Sequence, residues 1–185
     1  MAAYYLISQL PSLDGIGDTT PLPITEEQFT ELCSRFLKAK EQEKLQKLTL
    51  TPAKDPEGSG SAFIDAWDES ERMLRFALGK VRAEKWNFPF DTGGRNIPVQ
   101  YAKAAAAAME IENPMEAEKF LNRFRLALLE ELRPMDGFAD EYIFYYGLRL
   151  KLLLRVRQFD TEAGVAAYRD IYNSILYRDR LEALS

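Results

Sequence analysis

The stretch EYIFYYGLRLKLLLRVRQF, residues 141–159, decides the fold class of this chain. Placed at helical steps of about 100° per residue, its apolar side chains fall on every side of the helix. These residues are Ile143, Tyr145, Leu148, Leu150, Leu152, Leu154 and Val156. The stretch also carries Arg149, Lys151, Arg155 and Arg157, whose long stems can cover apolar surface while their charged ends reach water or an acid. A helix that is apolar all round belongs inside a protein, so we expect this one at the centre of an all-α bundle.

Helical patterns on both sides of this stretch predict a bundle of about six to seven helices joined by short turns. The predicted helices, including the one that contains this stretch, begin near Thr25, Lys40, Ala62, Pro98, Asn113 and Ala139, and after Asp160. The longest is expected to run from Ala62 to Trp86. Its apolar seam consists of Phe63, Trp67, Leu74, Leu78 and Val81, and its opposite side carries Asp65, Arg72 and Ala83. The alanines at 104–108 permit a close helix–helix approach.

Two helix starts have specific local signals. Thr25 and Gln28 have the spacing of a capping box, and Ile24 and Phe29 flank them at the positions of a hydrophobic staple. Asn113 is a favourable cap that is followed by a proline at the first helical position. These residues predict where the polypeptide turns into each helix.

The N-terminal stretch MAAYYLISQLPSL, residues 1–13, has no Lys or Arg before its short apolar run, unlike a signal peptide. Its aromatic and β-branched residues favour a short strand or an extended arm. We expect one domain over residues 1–185, with an extended arm and loop at 1–24, short helices and a linker at 25–61, and the main helical bundle at 62–185.

Composition excludes several classes of protein. Of the 185 residues, 46% are hydrophobic and 29% are charged, as in a soluble globular domain. The formal charge of -5 disfavours nucleic acid as a partner, because its binding requires a basic face. The chain has no histidine and one cysteine, which excludes His-ligated metals, Ser-His and Cys-His nucleophile pairs, and an internal disulfide. We expect no catalytic residue, cofactor or metal.

A buried ion pair is the clearest site hypothesis. Phe120, Phe124, Ala127, Leu128 and Leu132 define an apolar face on the helix that begins at Asn113. Glu131 projects into the middle of this face, whereas Glu130 points to the side. Burying a lone charge costs several kcal/mol, so we predict that Glu131 pairs with Arg149 or Arg155. An intersubunit charge contact and general acid–base catalysis are the alternatives.

Other polar groups favour structural interpretations. Asp65, Asp68, Glu69 and Glu71 resemble a metal cluster but fan around their helix, which favours a solvated face with Glu71–Arg75 and Asp68–Arg72 pairs. The segment at 91–95, DTGGR, is compatible with anion binding but is more typical of a plain turn. Cys33 is expected to be a small core or semi-buried residue.

The residues alone leave two possible binding sites undecided, a protein-docking surface and a small-molecule pocket. Tyr168, Tyr172, Ile175 and Leu176 form a stripe that is either core or a protein-docking surface, and Arg72, Arg75 and Arg82 are further candidate interface residues. Alternatively, Trp67, Trp86, Tyr145 and Tyr146 line a small-molecule pocket in which an arginine is the polar anchor.

Five stretches together resemble a known family. They are YYLISQLPSL, PITEEQFTELC, AWDESERMLRFALGKVRAEKW, NPMEAEKFLNRFRLALLEEL and YYGLRLKLLLRVRQFDTEAG. In this order they resemble the bacterial domain of unknown function 2764, which is typically encoded among subunits of V-type (A-type) ATPases. The helix with Arg82, Ala83, Glu84 and Lys85 is more distantly similar to the helical repeat of the ATPase C (d) subunit, although this chain is much shorter than that subunit.

The resemblance implies a non-catalytic accessory or C-like subunit of a complex for proton or sodium transport. Its partners would be stalk or rotor subunits of the ATPase, and its location would be cytoplasmic and peripheral to the membrane. The alternatives are a small-molecule-binding helical protein and a free-standing interaction adaptor.

Overall fold

A computed structural model describes residues 2–17, 20–53, 58–91, 93–157 and 164–173. In these ranges the chain forms eight helices and no strand, which confirms the predicted all-α class. They are α1 (Ala2–Gln9), α2 (Glu26–Phe36), α3 (Ala39–Lys47), α4 (Ala62–Lys85), α5 (Val99–Glu110), α6 (Pro114–Glu131), α7 (Asp140–Arg157) and α8 (164–173).

The N-terminal segment is a helix, so the predicted strand or extended arm is wrong. Leu6 on α1 is fully buried against α2 and α7, and Ile7 and Leu10 pack against the same apolar cluster. A spacing of one and four residues places these three side chains on one side of a helix. Tertiary burial of that side outweighs the strand preference of the tyrosines, and Tyr4 and Tyr5 remain exposed.

Both predicted helix starts are confirmed. The Gln28 backbone N–H donates to Thr25 Oγ1 at 3.2 Å, and the Thr25 N–H donates to Gln28 Oε1 at 3.0 Å. Ile24 and Phe29 are buried in the same cluster, as a hydrophobic staple requires. At the start of α6, Asn113 Oδ1 accepts the Met115 N–H at 2.9 Å. Local hydrogen bonds thus define these two boundaries.

Helix α7 lies at the centre of the bundle, as its all-round apolar sequence predicts. Ten of its eighteen residues are buried, and it packs against α1, α2, α3, α4 and α6. Gly147 allows a close approach: a Cβ there would lie 3.1 Å from Phe29 Cε1 and 3.2 Å from Leu48 Cδ2. Because glycine has no side chain, α2 and the end of α3 pack directly against the α7 backbone.

Helix α4 follows the predicted span and forms a hairpin with α5. Leu74 and Leu78 pack with Ala104, Ala105 and Ala108, so the small residues permit the expected close contact. Ala83, predicted on the outer side of α4, is instead buried. The helix ends in a turn in which Asn87 has φ 54° and the Phe88 N–H donates to the Ala83 carbonyl at 2.9 Å. This turn holds Ala83 inward.

Candidate functional site

A cleft between α6, α7 and the loop after α1 contains a cluster of polar side chains. The cleft has a volume of about 370 Å³. Tyr145 Oη donates to Glu130 Oε2 at 2.6 Å, and Arg149 Nη1 donates to the same oxygen at 2.9 Å. Arg149 Nη2 also lies 3.0 Å from Asp14 Oδ1. We call Asp14, Glu130, Tyr145 and Arg149 the Glu130 cluster.

Protonation states in the Glu130 cluster follow from these contacts. The hydrogen bond from Tyr145 lowers the pKa of Glu130, and Arg133 and Arg149 add to the effect. Burial raises the pKa of Tyr145 to about 12, and its hydrogen bond to Glu130 acts in the same direction. Near neutral pH the carboxyl is therefore charged and the phenol keeps its proton. The cluster joins α6, α7 and the N-terminal loop electrostatically.

The predicted ion pair of Glu131 is wrong. Glu131 is exposed, Arg149 pairs with Glu130, and Arg155 pairs with Glu118 at 2.7 Å. The physical reason is that the buried face of α6 differs from its most apolar face. That buried face consists of Leu121, Asn122, Arg125, Leu128 and Leu129. Because two of these residues are polar, hydropathy alone places the face about one residue, or roughly 100°, away from its true position.

Asn122 and Arg125 belong to a second cluster, which is deeply buried. Arg125 Nε donates to Glu71 Oε2 at 3.0 Å and its Nη2 donates to Glu71 Oε1 at 3.2 Å, a bidentate pair between α6 and α4. Arg125 Nη1 also donates to Asn122 Oδ1 at 2.9 Å. Glu71 is 1% exposed and Arg125 is 5% exposed. The predicted solvated face of α4 is therefore wrong at Glu71.

This buried network extends to one further helix, α7, and to a loop. Glu118 Oε1 lies 3.2 Å from Arg125 Nη1 and accepts a hydrogen bond from Arg155 of α7. On α4, Arg75 pairs with Glu71 at 2.9 Å, as predicted, and also donates to the Leu50 carbonyl at 3.2 Å. We call Glu71, Asn122, Arg125, Glu118, Arg75 and Arg155 the Glu71 network. It connects α4, α6, α7 and the segment after α3.

The four aromatic residues proposed to line a small-molecule pocket have different environments in the described part of the chain. Trp67 is 1% exposed, and its Nε1 donates to the Thr49 carbonyl at 3.4 Å. Tyr146 is buried and donates to the Pro11 carbonyl at 2.8 Å. Trp86 is 60% exposed at the end of α4. Only Tyr145 lines the cleft described above.

The candidate interface residues have different environments. Arg75 belongs to the Glu71 network, and Arg72 pairs with Glu69 at 3.1 Å in place of the predicted Asp68. Arg82 is exposed near the end of α4. Tyr168 and Tyr172 on α8 are exposed, with stacked rings whose centroids are 6.2 Å apart. Ile175 and Leu176 lie outside the described residues.

The remaining chemical candidates have structural surroundings. Cys33 is buried in the core, as predicted, and burial raises the pKa of its thiol to about 12. Asp91 Oδ1 accepts the Gly93 N–H at 2.7 Å, a contact typical of a tight turn. Across the described ranges, no group of three or more acidic or cysteine side chains is arranged to hold a metal ion.

An exposed apolar surface is the feature that sequence reasoning missed. The rings of Tyr4 on α1 and Phe138 in the α6–α7 connection lie 4.8 Å apart, centroid to centroid, and Tyr5 lies 5.9 Å from Tyr4. Met135 in the same connection is completely exposed, and the three aromatic residues are each more than half exposed. We call Tyr4, Tyr5, Met135 and Phe138 the α1 surface. It joins residues more than 100 positions apart, so no local pattern reveals it.

Comparison with protein-family models, with curated proteins and with solved structures finds no match. Within the described ranges, every helix is too short or too polar to span a lipid bilayer.

Proposed function

We propose that this chain is a non-catalytic accessory or C-like subunit that binds stalk or rotor subunits of a bacterial V-type or A-type ATPase. The five sequence stretches that resemble the ATPase-associated family support this choice of partner. In that position the protein would be cytoplasmic and peripheral to the membrane, and it would act in assembly or coupling through protein–protein contacts.

The α1 surface is the observation that carries the proposal. Aromatic residues and methionine are enriched at the centres of protein interfaces, and a contiguous exposed apolar patch commonly marks a binding surface. By contrast, the charged groups of the Glu130 cluster and the Glu71 network are paired with one another. The arrangement favours contact with another protein over chemistry on a substrate.

Co-purification tests the proposal. The tagged chain would be expressed in a bacterium that encodes it, and the ATPase would be solubilised in mild detergent before affinity capture. Recovery of stalk or rotor subunits in constant ratio to the tagged chain is the expected result. The matched control is the same chain carrying Phe138→Ala and Tyr4→Ala, which should fold but recover less ATPase.

Two results would contradict the proposal. Recovery of the chain without ATPase subunits would favour a free-standing adaptor. A bound metabolite, detected by native mass spectrometry of the chain purified alone, would favour the small-molecule alternative, and the cleft beside Arg149 would then be its expected location.

A further inference from the structure

The α1 surface lies beside an unusually acidic part of the chain. Five carboxylates lie within five residues of Met135 or Phe138 along the polypeptide. They are Glu130, Glu131, Asp136, Asp140 and Glu141, which we call the acidic rim. Four of them are exposed, and Glu141 is partly buried. An apolar surface with a rim of one charge favours a partner of the opposite charge.

Arg133 is the single basic residue between positions 130 and 141, so this stretch has a formal charge of -4, and Glu130 is also paired with Arg149 of α7. Arg133 pairs with Glu130 at 3.0 Å, and its guanidinium lies over the rings of Tyr142 and Tyr145, 5.8 and 5.6 Å from their centroids. It is therefore directed toward α7 and one rim residue. Glu131, Asp136 and Asp140 remain exposed to a partner.

The surface is also held in place before any partner arrives. Asp136 Oδ1 accepts the Phe138 N–H at 2.9 Å, and the Asp136 carbonyl accepts the Ala139 N–H at 3.2 Å. These bonds define the turn that presents Met135 and Phe138. On the other side, buried Leu6 anchors α1 in the core and thereby positions Tyr4 and Tyr5. A preformed surface loses less conformational entropy on binding.

We propose that the α1 surface binds a basic amphipathic helix of a partner protein. The apolar side of that helix would pack on Tyr4, Tyr5, Met135 and Phe138, and its Lys or Arg residues would face the acidic rim. The assignment of that helix to an ATPase subunit rests on the proposed function, whereas its chemistry rests on the surface alone.

The surface is tested first with a defined probe. A fluorescent synthetic Leu/Lys amphipathic peptide is titrated with the purified chain, and its anisotropy is compared with that of a Leu/Glu peptide of the same length. Only the Leu/Lys peptide should bind. Phe138→Ala should weaken its binding about tenfold, as expected for an aromatic anchor at an interface centre.

Phe88→Ala is the matched aromatic control, because Phe88 is 66% exposed but lies just beyond the C-terminal end of α4. The opposite end of this helix carries Phe63 and Trp67, which pack with Tyr145 near the acidic rim. At 24 residues, α4 is about 36 Å long, so Phe88 is remote from the α1 surface. Phe88→Ala should change the affinity less than about twofold, within the range of neutral interface positions.

Charge variants test the contribution of the acidic rim to binding. Glu131→Gln combined with Asp140→Asn should weaken Leu/Lys binding and reduce its dependence on salt, because exposed charges are screened by ions. Glu112→Gln, in the connection at the other end of α6, should leave the affinity unchanged. Equal effects of the rim variants and Glu112→Gln, or full binding by Phe138→Ala, would overturn the proposal and indicate non-specific attraction to an acidic protein.

Photo-crosslinking separates this inference from the proposed function. Benzoylphenylalanine is placed at Met135 or, as control, at Phe88 in the chain co-purified with the ATPase. Crosslinks from Met135 to a basic helical peptide of a stalk or rotor subunit support both proposals. Crosslinks only from Phe88, or from Met135 to a second copy of this chain, overturn the α1 surface assignment while leaving the ATPase association intact. If no ATPase co-purifies, the proposed function fails, and the peptide titrations alone test whether the α1 surface binds a basic amphipathic helix.

Discussion

Glu71 and Glu130 each accept hydrogen bonds from an arginine on a neighbouring helix, but their exposure differs greatly. The Glu71 side chain is 1% exposed and holds Arg125 between α4 and α6, whereas the Glu130 side chain is 49% exposed at the end of α6. Water can replace a lost partner at Glu130 and cannot do so at Glu71. Two ion pairs of similar geometry, each with one partner on α6, are therefore expected to contribute very differently to the free energy of unfolding.

The largest effect is expected at the buried pair. Arg125→Ala leaves the carboxylate of Glu71 inside the protein with only the partly exposed Arg75 as a partner, and should lower the free energy of unfolding by about 3–5 kcal/mol. Urea denaturation followed by circular dichroism measures this loss. The double variant Glu71→Met with Arg125→Met should recover most of it, because no charge then remains buried. A loss below about 1 kcal/mol in the single variant would place the pair with surface salt bridges.

A smaller loss is expected at the tyrosine of the Glu130 cluster. Tyr145→Phe removes the hydroxyl that lies between Glu130 and Arg149, while the carboxylate and guanidinium still contact each other. The free energy of unfolding should fall by about 1 kcal/mol, measured in the same urea titration. Tyr142→Phe, which alters an adjacent tyrosine outside the cluster, should change it less. A loss as large as that of Arg125→Ala would show that the cleft is effectively sealed from water.

The pH dependence at Glu130 is expected to be weaker still. Because the pKa of Glu130 is lower in the folded chain than its ordinary value of 4.5, its charged form stabilises the fold above that value. This stabilisation is lost as the pH falls through the lowered folded pKa. Glu130→Gln should therefore cost less than about 1 kcal/mol near pH 7, and the difference from the parent chain should shrink in acid. A difference that grows as the pH falls would contradict the assigned direction.

The smallest effect is expected one residue further along α6. Glu131→Lys changes an exposed side chain near the negative end of the helix dipole, so the free energy of unfolding should change by no more than about 0.5 kcal/mol. Glu130→Lys should cost more, because it places a cation beside Arg149 and Arg133. Thermal melts of the two charge reversals test this order, and the opposite order would restore Glu131 as the partner of Arg149.

Several features of the fold were predictable because their causes are local. The capping box of Thr25 and Gln28 and the cap of Asn113 are made by residues two to three positions apart, so their spacing alone indicates the helix starts. The central position of α7 follows from its own apolar circumference. The burial of Cys33 follows from the general preference of free cysteine for the protein interior.

The candidate sites were less predictable because their residues come from separate helices. Glu71 and Arg125 are 54 positions apart, and a charged side chain in a sequence is usually interpreted as solvated. The same assumption places the predicted buried face of α6 about one residue from its true position. It also assigns Glu131, in place of Glu130, as a partner of Arg149. A polar side chain can be buried when it faces a polar partner on another helix, and the sequence of one helix does not show which partner that is.

The all-α class, the main helix boundaries and the central helix follow directly from the amino-acid sequence, because these depend on periodicity and on hydrogen bonds within a few residues. Three features depend on how the helices pack together: that α1 is a helix, which carboxylates are buried, and that Tyr4 contacts Phe138 on the outer surface. Burial and pairing are properties of two elements at once. The free energies of burial and pairing depend on which two surfaces come into contact, and the sequence of a single segment specifies only one of the two.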